Sequence, residues 1–171
     1  MTDRDTAFES YFATRAEMMR GTAYLLCGDW HRAEDLVQTA FIKLYRSWHR
    51  LPGRDRIDAY TRKILVRTFL DERRRGFFRR EQVTASPHES PAPQHGSPDD
   101  RLVLLRALTK VPPRQRTALV LRYWEDLSVE ETALAMKCSP GTVKSQAARG
   151  LATLRGLLPD HHEVGVLEEY R

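Results

Sequence analysis

Cysteine is scarce in this chain. Cys27 and Cys138 are the only two among 171 residues, and they sit in no CxxC pair. That count and spacing argue against a disulfide framework and against a Cys-rich zinc site. Cys27-x3-His31 could share one helix face, but two ligands fall short of the four that structural zinc takes, so Cys27 reads as a small core residue. Long apolar runs are absent too: none approaches the roughly 20 residues needed to cross a bilayer. The N-terminus, MTDRDTAFES, lacks the basic-then-apolar order of a secretory signal. A cytoplasmic protein with no membrane insertion is expected. No stretch sustains apolar–polar alternation, so no sheet is expected. Catalytic signatures are missing as well, with no P-loop, no HExxH and no paired nucleophile and base. Acidic pairs such as Glu130-Glu131 and Asp99-Asp100 fall at a helix start and in a proline-rich stretch, not in a core that could gather them around a metal. The expectation is therefore no enzyme, no cofactor and no metal site.

What is present is a soluble globular composition, 41% hydrophobic and 30% charged. The length permits one ordinary domain or two small ones. The net charge of +5 is unevenly spread. Residues 50–80 hold eleven Arg/Lys against four Asp/Glu, so this segment carries +7 and the remainder of the chain −2. Positive charge concentrated in this way is what a phosphate-facing surface requires. Residues 76–99, GFFRREQVTASPHESPAPQHGSPD, contain four of the nine prolines and three serines. Proline removes backbone donors and disfavours helix in the residue before it, so this stretch reads as a semi-extended linker.

The flanking parts both read as helical. Ala33, Leu36, Val37, Ala40, Phe41, Leu44 and Trp48 form one apolar stripe at helical spacing, with Glu34, Asp35, Gln38 and Lys43 off it. An earlier helix is marked by Phe8, Tyr11, Phe12, Met18, Met19, Ala23 and Leu26. Pro52-Gly53 signals a turn. A third helix is expected from about Asp58 to Arg75, with Tyr60, Ile64, Leu65, Thr68 and Leu70 inward. After the linker, Leu102, Leu105, Leu108 and Val111 form another stripe that Pro112-Pro113 stops. Pro113 also suits the first turn of a helix expected to run to about Trp124. The fold class expected is all-α: two small helical domains joined by a flexible linker, residues 1–75 and 100–158, with a linker at 76–99 and a polar tail at 159–171.

The most informative motif is LSVEETALAMKCSPGTVKSQAARGLATLRGLL, residues 127–158. Ser128-Val-Glu-Glu131 is a capping box. A short helix, a tight turn at Lys137-Cys138, and a new start with Ser139 as N-cap and Pro140 at the first position make a helix-turn-helix. In the second helix Val143, Ala147, Leu151, Leu154 and Leu158 form an apolar stripe. Thr142, Ser145, Gln146 and Arg149 form a polar one beside it. From Ser139 to Leu158 the basic residues are Lys144, Arg149 and Arg155, and there is no acid. A recognition helix reads base edges with its N-terminal residues, and Arg suits guanine as Gln suits adenine.

Two separated motifs carry a resemblance to the sigma factors of bacterial RNA polymerase, in their small extracytoplasmic-function group. One is Ala33-Glu-Asp-Leu-Val-Gln38-Thr-Ala-Phe41. The other is Val111-Pro-Pro-Arg-Gln-Arg116 followed by Leu127-Ser-Val-Glu-Glu131 and Ser139-Pro-Gly-Thr-Val-Lys-Ser145. The resemblance implies a non-enzymatic protein that binds core polymerase and directs initiation at particular promoters. Asp35, Gln38 and Ile42 would contact the clamp helices of the largest subunit. Residues 50–75 would open and read the minus-10 element, the loop near Arg54 and Arg56 holding an unstacked base. Tyr60, Arg62, Lys63, Arg67 and Arg74 would face that DNA, as single-strand capture by a basic groove with an aromatic platform requires. Thr142, Lys144, Ser145, Gln146 and Arg149 would read minus-35 duplex. The preceding helices would rest on the flap of the second-largest subunit, and an inhibitory anti-sigma factor would be an admissible partner. Gln146 stands where many members have Arg, and Arg67 where many have Asn, so the promoter sequence is expected to differ. The chain ends soon after Leu158, so no further C-terminal domain is expected.

One alternative is a helix-turn-helix regulator that does not join polymerase. Such a protein would not need the Ala33–Phe41 helix or the basic segment behind it, and as a dimer it would bind a palindromic site. A nucleic-acid enzyme is the other, and it lacks the convergent carboxylates a metal-dependent nuclease needs.

Overall fold

The computed structural model describes residues 3–51, 56–79 and 98–158. Seven α-helices occupy them: α1 (Asp3–Cys27), α2 (Trp30–Ser47), α3 (Ile57–Arg79), α4 (Pro98–Lys110), α5 (Pro113–Leu119), α6 (Val129–Met136) and α7 (Pro140–Leu157). No strand occurs among the described residues. The fold is all-α, with three helices before the linker and four after it. The turn at Pro52-Gly53, residues 80–97 of the linker and the tail from 159 lie outside the described residues.

Between α1 and α2 the chain reverses at Gly28, whose φ of +75° is a region glycine enters without strain. Asp29 then caps α2, its Oδ1 accepting from Arg32 N at 2.8 Å. Ala33, Leu36, Val37, Ala40, Phe41 and Leu44 are all buried, and each of the larger ones contributes about 1.5–3 kcal/mol. Trp48 is half-buried, because α2 tightens into a single 3₁₀ turn over Trp48–Arg50. Its ring meets Phe8 edge-on at 5.2 Å. On α1, Met19, Ala23 and Leu26 are buried, whereas Phe12 and Met18 are exposed.

α3 buries a wider arc than the expected stripe. Ile57, Thr61, Leu65, Val66, Thr68 and Phe69 are inside, while Tyr60, Ile64 and Leu70 are half-buried. The reason is that α3 has neighbours on two sides, α1 and α2 on one and α5 and α6 on the other. It also continues to Arg79 rather than ending near Arg75. Polar ties fix its start and middle. Tyr11 donates from its hydroxyl to Asp58 Oδ1 (2.8 Å) and pairs with Thr61 Oγ1 (2.9 Å). Arg15 bridges Asp58 at 2.9 Å, and Lys43 Nζ donates to Thr68 Oγ1 at 2.8 Å. Burial pushes the Tyr11 phenol up, so it remains a donor throughout the neutral range.

In the second half, Leu105, Leu108 and Val111 are buried and Leu102 is exposed near the start of α4. The helix expected through Trp124 changes type. Beyond Leu119 it widens into a π turn over Val120–Trp124, and Glu125 N reaches back to Val120 O at 3.0 Å. α7 packs closely on α5 at Gly150, where a Cβ would stand 3.0 Å from Leu119 Cγ and 3.2 Å from Gln115 O. A larger residue there would push the two helices apart.

Arg116 is 1% exposed. Its Nη1 donates to Leu26 O (2.7 Å), and its Nη2 to Val111 O (2.9 Å) and to Thr109 O. It therefore closes the C-terminal end of α4 and ties it to the end of α1. Burial lowers its pKa to about 10, which leaves it charged at neutral pH.

Candidate nucleic-acid interface

The helix-turn-helix is built by its caps. Ser128 Oγ accepts from Glu131 N at 3.1 Å, and Glu131 Oε2 accepts from Ser128 N at 2.8 Å. Those hydrogen bonds hold the Glu131 carboxyl below the usual range. α6 stops at Lys137, which takes a left-handed conformation with φ of 53°. Ser139 restarts the chain, its Oγ accepting from Thr142 N at 3.1 Å, with Pro140 at the first helical position. Val143, Gly150 and Leu154 are buried beneath α7, and Ala147, Leu151 and Leu158 pack partly against the core.

This anchoring sets the outward face of α7. Lys144, Ser145 and Arg149 are exposed, and Thr142 and Gln146 are half-buried. Two of these groups are already engaged: Thr142 Oγ1 shares a hydrogen bond with Ser139 (2.9 Å), and Ser145 Oγ donates to Thr142 O (3.0 Å). The long side chains of Lys144, Gln146 and Arg149 are left to reach outward from a face without an acid. Such a face attracts phosphate and can offer hydrogen bonds to base edges.

The basic face of α3 is arranged differently. Arg56 and Arg74 are exposed. Lys63 Nζ lies 5.8 Å from the centre of the Tyr60 ring. Arg62, however, forms a salt bridge of 2.8 Å with Glu125, the side chains only 14% and 7% exposed. Arg67 Nη2 donates to Leu134 O of α6 at 3.2 Å. Tyr60, Arg62, Lys63 and Arg56 line a cleft of about 590 Å³ whose opposite wall is Leu127, Glu131 and Leu134 of the second half. The structure thus gathers five of the seven residues expected to face minus-10 DNA along α3 and its start, and turns two of them toward the other half. Arg74 stands further along the same helix, and Arg54 lies outside the described residues.

On α2, Asp35, Gln38 and Ile42 are exposed on one stripe, Ile42 by 55%. Gln38 and Ile42 line a groove of about 700 Å³ between α1 and α2, together with Phe8, Phe12, Phe41 and Tyr45. Exposed Phe12, Ile42 and Tyr45 make an apolar patch rimmed by Glu9, Gln38 and Arg46, the composition of a protein-binding surface. Sequence reasoning missed Phe12 and Tyr45, the first because it fits the periodicity of a core face. Cys27 is buried, its thiol donating to Asp29 O at 3.1 Å, and burial pushes that thiol up.

Two family models match this chain: Sigma-70 region 2 over residues 11–77 and Sigma-70 region 4 over residues 101–154. The RNA polymerase sigma-E factor of Streptomyces coelicolor is 38% identical over 151 residues, which cover 86% of this chain and 84% of that protein. The ECF RNA polymerase sigma factor SigE of Mycolicibacterium smegmatis is 38% identical over 154 residues, covering 85% of this chain and 59% of that one. Among solved structures, the sigma factor RpoE in complex with the anti-sigma factor NepR from Bartonella quintana superimposes with a TM-score of 0.77 at 26% identity. That match covers 91% of this chain and 99% of the other.

Proposed function

From a chain that belongs to the sigma-70 family, as a two-domain RNA polymerase sigma factor of the extracytoplasmic-function group, we propose the following division of labour. The first half, residues 1–75, binds the clamp helices of the polymerase largest subunit through Asp35, Gln38 and Ile42. It captures minus-10 single strand through Arg54, Arg56, Tyr60, Arg62, Lys63, Arg67 and Arg74. Residues 100–158 read minus-35 duplex through Thr142, Lys144, Ser145, Gln146 and Arg149, and rest on the flap of the second-largest subunit. Residues 76–99 span the two, and the polar tail at 159–171 takes no contact in this scheme. Sigma factors are not enzymes, and nothing in this scheme needs chemistry. Binding energy for an unstacked base offsets an opening cost of a few kcal/mol. The protein would work in the cytoplasm, where polymerase is. An inhibitory protein partner is also proposed, since the similar RpoE was solved in complex with an anti-sigma factor.

The observation that carries this reading is the pairing, in one chain, of the acid-free α7 face with the exposed Asp35–Gln38–Ile42 stripe. An operator-binding regulator would account for α7 alone and would leave the Sigma-70 region 2 match unexplained. The test is retention of the protein by immobilised core polymerase. Replacing Asp35 and Gln38 by Ala together with Ile42→Glu should reduce retention by at least about tenfold, a loss of about 1.4 kcal/mol, with helical content unchanged. Undiminished retention would refute the assignment of this stripe.

A further inference from the structure

A small cavity of about 100 Å³ lies on the side of the molecule away from the recognition helix start. α1 and the first residue of α2 wall it on one side, and α4, α5, the π turn and Leu154 of α7 on the other. Apart from Gly21, its lining is leucine, valine and four aromatic rings, with a single charged residue, Arg101, and no acid.

The polar groups at this cavity ask for an acceptor. Trp30 stacks on Tyr24, ring centres 4.3 Å apart and planes 13° from parallel. Its indole Nε1 is buried and has no hydrogen-bond partner among the described residues. A buried donor in that state is costly unless an acceptor reaches it. The Arg101 charge lies close enough to the same ring pair to oppose the rise that burial gives the Tyr24 phenol. Donor and cation together suit a negatively charged acceptor beside flat apolar walls.

The backbone at the cavity is also unusual. Gly21 forms part of the wall within the 25-residue α1. Glycine weakens a helix interior, yet a Cβ at Gly21 would meet nothing within 4 Å. Packing of the chain on itself therefore gives no reason for a glycine there. The π turn supplies Val120, Tyr123 and Trp124 to the lining, and such turns are frequent at functional sites. Tyr123 and Trp124 are exposed, which leaves the cavity a side open to solvent.

We propose that this cavity binds a small aromatic carboxylate, its ring between the apolar walls and its charge toward Trp30 Nε1 and Arg101. The volume sets the size. It is on the scale of the roughly 150 Å³ cavity that takes up benzene, which selects one ring rather than a fused or long-chain acid.

The probe is sodium benzoate, titrated into the full chain and read by intrinsic fluorescence. Two of the three tryptophans, Trp30 and Trp124, line the cavity. A saturable change is expected, with a dissociation constant of about 1 mM or tighter for so small a ligand. Sodium chloride at equal concentration should give no such change. At about ten times that constant, benzoate should raise Tm by about 3–6 °C. Benzyl alcohol keeps the ring and loses the charge, so it should bind at least about tenfold more weakly. Arg101→Gln should erase that preference. Gly21→Leu should fill the cavity from its wall while favouring the helix, so binding is lost with Tm unchanged or higher. Absence of a saturable change, the same change with sodium chloride, or a benzoate response that survives Gly21→Leu would overturn the site. Equal affinity for benzoate and benzyl alcohol would overturn the assignment of a carboxylate.

Discussion

Replacing Arg116 by Met is the sharpest test of how the two halves are held. The guanidinium is 1% exposed and satisfies three backbone carbonyls, those of Leu26, Thr109 and Val111. Methionine matches its length and apolar stem but donates nothing. A deserted buried acceptor costs about 1–3 kcal/mol. Three of them would cost about 3–9 kcal/mol if none found water. Against that, the substitution relieves the burial of a cation, which already lowers its pKa to about 10. Such relief commonly recovers a few kcal/mol. The net expectation is a loss of about 3 kcal/mol. In a chain of this size that lowers Tm by about 6–12 °C, read by far-UV circular dichroism with the wild type alongside. Arg116→Lys should recover little, because a single ammonium cannot span carbonyls on three sides. A Tm within about 2 °C of wild type for Arg116→Met would refute the reasoning, since the three carbonyls would then have other donors.

Four further outcomes are expected. Ser128→Ala should cost about 1 kcal/mol through loss of the α6 cap, measured by urea unfolding at neutral pH. Because the folded Glu131 carboxyl lies below its usual value, its contribution is present above the unfolded value and lost as pH falls through the folded one; Glu131→Gln should flatten that acid-side decline, and an unchanged profile would contradict it. Thr132 Oγ1 is buried without a hydrogen-bond partner among the described residues, so Thr132→Val should raise stability by about 1 kcal/mol, and a loss instead would reveal a hidden partner. Arg149→Ala should relax selection at one or two minus-35 positions by about 1–3 kcal/mol, whereas equal loss on all sequences would mark a phosphate contact.

Local signals were readable because local physics wrote them. The stripe from Ala33 to Leu44 repeats at helical spacing over roughly three turns, and all six residues proved buried. Ser128 and Ser139 stand where unpaired helix-start amides need oxygen, and both cap. What stayed hidden depends on residues far apart in the chain. Arg62 and Glu125 are separated by 63 positions, and no periodicity couples them. Arg116 reads as a surface residue from its charge, and only the convergence of three carbonyls explains its burial. Phe12 obeys the core periodicity of α1, yet α2 covers it only in part, through the Phe41 ring at 4.8 Å, so it is exposed in the groove that Ile42 also lines. The π turn at Val120–Trp124 and the left-handed Lys137 have no glycine or proline to announce them. For the site, the α7 face was legible in outline, while the covering of Arg62 and Arg67 by the second half was not, because the linker composition permits open and closed arrangements alike.

The most direct test of the central claim is transcription from total genomic DNA by bacterial core polymerase, with and without this protein, with start sites mapped. The account predicts new starts that share two spaced, non-palindromic upstream elements, and their loss when Asp35, Gln38 and Ile42 are replaced. No new starts, together with failure of the protein to bind core polymerase, would contradict it.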